Sequence, residues 1–136
     1  MDGLISLAKT VGGTLKGLGV DVWYFYPQNW MTLPVISWRE SGSREFAQAD
    51  AREHLAALEY TVDVWSGGPE ENHALADRVD AAMAGLRLRR DYCADLFDAG
   101  VGLHHRVMRY RCVADAAGNV YQEEVFVWRR VHRVRF

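Results

Sequence analysis

Apolar residues near the N-terminus recur at the spacing of one helical face: Leu4, Ala8, Val11, Leu15 and Leu18 are separated by four, three, four and three positions. The spacing predicts an amphipathic helix ended at Gly19. Gly12, Gly13 and Gly17 weaken it, each by up to about 1 kcal/mol relative to alanine, so the helix needs docking on its own sheet or on a neighbouring subunit. "DVWYFYP", residues 21–27, is a dense aromatic and β-branched run that predicts a strand stopped by Pro27. "VISWRES", residues 35–41, returns as a second strand, so residues 21–41 predict an antiparallel pair with an extended tip. Trp30 and Met31 sit in that tip, as core cover or, if exposed, as interface anchors.

Residues 41–52, "SGSREFAQADAR", are polar and punctuated by glycine, which predicts a loop. In "EHLAALEYTVDVWS" the apolar positions change to period two, which predicts a long strand at least from Leu58 to Ser66. "PEENHALADRVDAAMAGLR" is the clearest helix, with Pro69 at its first position. Glu70 and Glu71 lie in its first turn, and Arg87, Arg89 and Arg90 follow its C-terminal end, both favourable to the helix dipole. Leu75, Val79, Met83 and Leu86 form the stripe expected to be buried, while Asp77 and Asp80 lie off it, toward solvent or a partner. "DYCADLF", "GLHHRVMRYRCV" and "YQEEVFVWRRVHRVRF" are three further strand-like segments, separated by the turn sequences "DAGVG" and "DAAGN". The order predicts an α+β fold in one domain over residues 1–136: a mainly antiparallel sheet with an N-terminal and a central helix packed on it.

Composition narrows the functional classes. The chain has 136 residues, 49% of them hydrophobic, and a net charge of −2, so no global field favours nucleic acid. Lys9 and Lys16 are the only lysines among 16 basic residues. Arginine suits fixed ion pairs and interfaces better than lysine does, which hints at assembly. Two cysteines, Cys93 and Cys112, do not make a secreted disulfide framework, so synthesis in a reducing compartment is expected. No signal peptide and no membrane-length apolar run is apparent, which predicts a soluble chain with no membrane partner.

The stretch "GLHHRVMRYRC", residues 102–112, gathers residue types that could ligate a metal or act as a nucleophile with Cys93. Zinc sites show paired ligands at short spacing, and none occurs here. In a strand His104 and His105 point to opposite faces, while His104 and Cys112 share one with Arg106, Met108 and Tyr110. Cys93 could meet His104 or His105 across a hairpin, yet no orienting group or oxyanion hole is signalled. Both cysteines therefore read as small apolar residues of a sheet, and no metal, cofactor or catalytic residue is assigned. "VGGTLKGLG" lacks the spacing of a phosphate loop, and "SGG" at 66–68 reads as a turn before a helix, with anion binding as the alternative. "RRVHRVR", residues 129–135, carries four arginines; Arg129, Arg130 and Arg133 could serve an interface, protect an edge or contact phosphates. As an interface, this basic strand would meet the acidic helix bearing Glu70, Glu71, Asp77 and Asp80 on the next subunit, a heterologous contact that can close into a ring.

Taken in order, "VWYFYPQNWMTLPVISWRES", "QADAREHLAALEYTVDVWS", "LADRVDAAMAGLRLRR" and "CADLFDAGVGLHHRVMRYRC" resemble the tail-terminator, or tail-completion, proteins of long-tailed bacteriophages over about residues 20–115. The resemblance implies a non-enzymatic α+β subunit of a hexameric ring that caps the tail tube and joins it to the neck, with DNA only passing through. It implies a virion component assembled in the host cytoplasm, with the tail tube protein and a neck or connector protein as partners. Expected contact surfaces are Trp30 and Met31, the segment from Ser41 through Arg44 to Asp50, and the acidic-helix and basic-strand pair. The C-terminal "EEVFVWRRVHRVRF" is longer and more basic than the family pattern. The alternatives are a neck stopper or other connector component, and a small enzyme using Cys93, His104 or His105.

Overall fold

The computed structural model describes residues 4–47 and 54–121. Two helices and six strands follow in the order α1 (Ala8–Lys16), β1 (Asp21–Tyr24), β2 (Val35–Ala47), β3 (His54–Ser66), α2 (Pro69–Gly85), β4 (Arg89–Asp98), β5 (Leu103–Asp115) and β6 (Val120–Tyr121). The strands form one sheet in the order β1-β2-β3-β5-β4, with β6 also paired to β5. All pairings are antiparallel except β1 with β2. The α+β class and the mainly antiparallel sheet expected from the pattern are thus present.

Strand β3 lies at the centre, and its alternation decides where the core forms. Ala56, Leu58, Tyr60, Val62 and Val64 are buried on one face together with Met108, Tyr110 and Cys112 of β5 and Ile36 and Trp38 of β2. Both helices cover this face, α1 through Val11 and Leu15, α2 through Leu75, Val79 and Met83. The other face carries no helix among the described residues.

Helix α1 starts at Ala8, not Leu4: Leu4 is 87% exposed, and Ile5 and Leu7 are buried in its place. The reason is a hydrogen bond. The Leu7 amide donates to the Tyr60 hydroxyl at 2.8 Å, which holds the preceding segment extended against the sheet. Gly12 has a use that its helix propensity hides. A Cβ there would lie 2.8 Å from Trp38 Cζ2, so only glycine lets α1 approach the sheet this closely. Gly19 takes φ +80° just past the helix, as expected of the terminator. Helix α2 ends with Arg87 in the left-handed region at φ 68°; its amide donates to Ala84 O and that of Leu88 to Met83 O, the Schellman pattern.

Two expectations fail, both in β2. First, β1 and β2 are parallel, with Asp21 opposite Val35 and Tyr24 opposite Trp38. The connection between them folds back across the open face because Tyr26 and Trp30 pack on Trp65, at ring-centroid distances of 5.7 and 5.1 Å, which returns the chain to the end where β1 began. Second, Ser41–Ala47 is strand, not loop. A bulge between Glu40 and Gly42 shifts the register by one residue, so Ile36 and Trp38 face the helices whereas Phe46 packs on the opposite side against Leu55 and Val113. That phase change hides the strand from a period-two reading. The remainder of the expected loop, including Asp50, lies outside the described residues, as does the strand-like C-terminal segment with Arg129, Arg130 and Arg133.

The packing at Gly12 separates two neighbouring glycines. Gly12→Ala forces Trp38 to move and is expected to destabilise the protein by about 1–3 kcal/mol, as overpacked cores do. Gly13→Ala meets nothing within 4 Å and is expected to stabilise by up to about 1 kcal/mol through helix propensity. Thermal or urea unfolding of the two variants checks the opposite signs.

Candidate functional site

Chemistry-bearing residues of β5 fall on two faces, as the alternation of a strand requires. On the open face, His105 Nε2 lies 2.7 Å from Asp63 Oδ1, its imidazole stacks on Trp65 at 3.7 Å between centroids, and Arg39 Nη1 lies 3.8 Å from Asp63 Oδ2. The Trp65 indole N–H donates to Ser37 Oγ at 3.0 Å. Tyr26 and Trp30 close over Trp65, and Asp63 is buried between a histidine and a guanidinium beside it. A buried carboxylate needs such partners to remain charged.

On the helix side, Arg106 Nε and Nη2 donate to the two carboxylate oxygens of Asp95 at 3.0 and 3.2 Å. His73 Nε2, from α2, lies 2.9 Å from Asp95 Oδ2 and 3.0 Å from Arg106 Nη2. The Arg106 guanidinium, with His73 beside it, holds the Asp95 carboxyl down at about 2. His104 shares this face and meets Phe97 edge-on at 5.2 Å between centroids. Asn72 donates through Nδ2 to Val64 O at 3.0 Å and His104 O at 3.2 Å, which ties the start of α2 to two strands.

Two tyrosines stand opposite each other in the register of β3 and β5, Tyr60 and Tyr110. Tyr60 donates to Glu40 Oε1 at 2.6 Å and Tyr110 to Asp80 Oδ1 at 3.0 Å. Burial first, then these carboxylates, push both phenols up from their ordinary value. These groups bind elements together: Tyr60 joins β3 to β2 and Tyr110 joins β5 to α2. His104 and His105 are separated as expected, and Cys112 is buried, but Cys93 is exposed, which corrects the expectation of an apolar sheet position. Cys93 pairs with Met108 and Phe97 with His104, so Cys93 and His104 are four residues out of register, about 13 Å at strand rise, and no nucleophile pair forms. Among the described residues no group of three His, Cys, Asp or Glu side chains is arranged to hold a metal. No helix among them is long and apolar enough to cross a membrane.

The expected contact residues are scattered rather than gathered. Trp30 is half-buried as cover for Trp65, while its neighbour Met31 is 89% exposed. Ser41 is engaged inside the subunit, donating to Glu59 Oε2 and accepting from Thr61; Arg44 is exposed over the Phe46 ring. Ser41 lies midway along β2 and Arg44 toward the end remote from Met31. Glu70, Glu71 and Asp77 are exposed on α2, whereas Asp80, expected to face solvent or a partner, is held by Tyr110 and lies 3.4 Å from Arg90. The pairings of Asp63, Asp95 and Asn72 were not foreseen. Cross-strand register carries the first two, and no periodic signal marks a polar residue buried in a helix.

The fold is a mixed α+β domain in which several charges, those of Asp63, Asp95 and Asp80 among them, are paired within the chain while aromatic side chains such as Phe25 and Phe97 stand exposed. The chain matches the family model described as tail completion protein gp17 over residues 9–115, from α1 through β5, and belongs to that family of phage tail-completion structural proteins. Among curated proteins no match is found.

The Asp95 pairing sets an acid limit on the β4–α2 contact. Because the folded carboxyl titrates below its ordinary value of 3.8, the stabilisation it provides is complete above that value and is lost as pH falls through about 2. Amide protection factors along β4, referred to intrinsic exchange at each pH, are expected to fall between about pH 4 and 2, and Arg106→Gln to remove most of that pH dependence. Exchange followed by NMR checks both.

Proposed function

We propose that this protein is the tail terminator: a ring of identical subunits, hexameric by resemblance to the family, that caps the last ring of the tail tube and presents its other face to a neck protein. The observation that carries this reading is the family match, which spans α1 to β5. Its mechanism is geometric. One face of the ring is complementary to the tube, and the opposite face no longer offers a tube-like surface, so polymerisation stops there. DNA passes through the ring without sequence-specific contact, and assembly occurs in the host cytoplasm before the subunit becomes part of the virion. The work is done by complementary surfaces and not by catalysis.

A neck stopper or other connector component would have the same family character but a different neighbour. Crosslinking separates them: contacts to the tube protein are expected for the terminator, contacts restricted to the portal side for the connector.

Deleting the gene from its phage is expected to give unjoined heads and tails of irregular length, seen by electron microscopy. The purified protein is expected to run as a ring-sized oligomer by size exclusion with light scattering. A strict monomer whose loss leaves tail length and joining unchanged overturns the reading.

A further inference from the structure

Nine of the ten large apolar side chains exposed among the described residues fall on β1 with its connection to β2 or on β4 with its turn; Leu4 is the exception. At one edge, Tyr24 ends β1, and Phe25, Tyr26, Met31 and Leu33 follow on its connection, which crosses the open face. At the other, Tyr92, Leu96 and Phe97 lie on β4 and Val101 on its turn. Neither β1 nor β4 has a strand partner on its outer side among the described residues. Solvent-exposed edges with large apolar side chains are normally covered or charged.

Phe25 strengthens the case. It holds φ 78°, a left-handed backbone unusual for a bulky residue, fixed by its amide donating to Trp38 O at 2.7 Å, yet its ring remains 63% exposed. A strained backbone that presents an aromatic ring largely to solvent, with Arg39 over it at 5.6 Å and Tyr24 edge-on at 6.2 Å, is poorly explained by the folding of the subunit alone. At the other edge the charges are already used: Arg106 pairs with Asp95, Arg90 with Asp80 and Arg111 with Asp91. What β4 offers a neighbour is therefore a mixed surface, in which Leu96 and Phe97 stand out as large exposed apolar side chains among charges that are partly paired.

Resting on the ring reading above, we infer that a second copy of this chain occupies each edge: the β1 edge and its connection on one subunit pack against the β4 edge and hairpin turn of the next. The two patches cannot meet within one subunit, because β2, β3 and β5 lie between β1 and β4, about 19 Å at ordinary strand spacing. A two-fold contact would bury one patch against itself and leave the other in water. A heterologous contact buries both with a single repeated interface, and closes into a ring when the rotation per step allows. Charge agrees with that direction. Lys9 and Lys16 are exposed on α1, which packs over β1 and β2, and the exposed Asp77 of α2 lies near enough to β4's neighbour Arg106 to act on its charge.

A mixing experiment tests the polarity. Phe25→Asp with Met31→Asp spoils the β1 patch; Leu96→Asp with Phe97→Asp spoils the β4 patch. All four positions are exposed, so each double variant should keep the wild-type circular dichroism spectrum, and the milder serine versions should behave alike. By size exclusion with light scattering, each alone is expected to be monomeric, with association weakened at least tenfold. An equimolar mixture is expected to give 1:1 heterodimers, joined through the one intact pair of patches, and no ring. Leu4→Asp, exposed but outside both patches, should assemble as wild type does. Either double variant assembling alone, or a mixture that stays monomeric, overturns the proposal while wild-type rings leave the ring reading standing. A wild-type chain monomeric at high concentration overturns this contact, and the fate of the ring reading is then decided by tail length and joining in the deletion phage.

Discussion

The fold turns on the burial of two phenol hydroxyls at the middle of the sheet. Tyr60 and Tyr110 face each other across β3 and β5 and are almost wholly buried. A buried hydroxyl without a partner costs on the order of a kilocalorie or more, so each must reach a polar group in an apolar layer. Tyr60 solves this with Glu40 of β2 and the Leu7 amide, Tyr110 with Asp80 of α2. The two solutions point to different elements. One fixes where the chain enters α1 and how β2 lies on β3; the other docks α2. Close approach of α1 at Gly12 then follows, because the segment held at Leu7 leaves the helix directly over Trp38.

Legibility in the sequence follows the same division between local and tertiary causes. β3, β5 and α2 could be read directly: each keeps one period throughout and is bounded by its own turn or cap residues. β2 could not, because one bulge residue near Ser41 reverses which parity faces the core, and Ser43, Arg44 and Glu45 then look like loop. The parallel pairing of β1 escaped for another reason. Hairpin expectation rests on chain proximity, whereas Tyr26 and Trp30 return the chain by packing on Trp65, a residue of β3 far along the sequence.

Which of the expected contact residues stand exposed was the least legible part, since exposure is a property of the packed molecule. Trp30 and Met31 are adjacent and similar in hydrophobicity, yet one covers Trp65 and the other stands in solvent. Asp77 and Asp80 lie on one helix; Asp80 meets a tyrosine and an arginine inside the subunit, while Asp77 remains exposed. Reactive residue types in "GLHHRVMRYRC" misled in the opposite sense. The alternation that separates His104 from His105 is a local fact and was readable, but their partners, Phe97 for one and Asp63 with Trp65 for the other, come from register.

Each face of the sheet is settled differently, and the difference bears on how such a subunit can associate. Helices satisfy one face by burying it. The other face is satisfied in place: Asp63 by His105 and Arg39, Trp65 by its aromatic cover, Ser41 by Glu59 and Thr61. Displacing that cover to make a face-to-face contact would expose Trp65, a cost that an edge contact avoids. At the edges the apolar side chains have only partial internal partners, Tyr92 the Arg109 guanidinium and Phe97 the His104 ring, and stay exposed. Covering them would add to contacts already made, so an edge contact would demand no rearrangement of the fold.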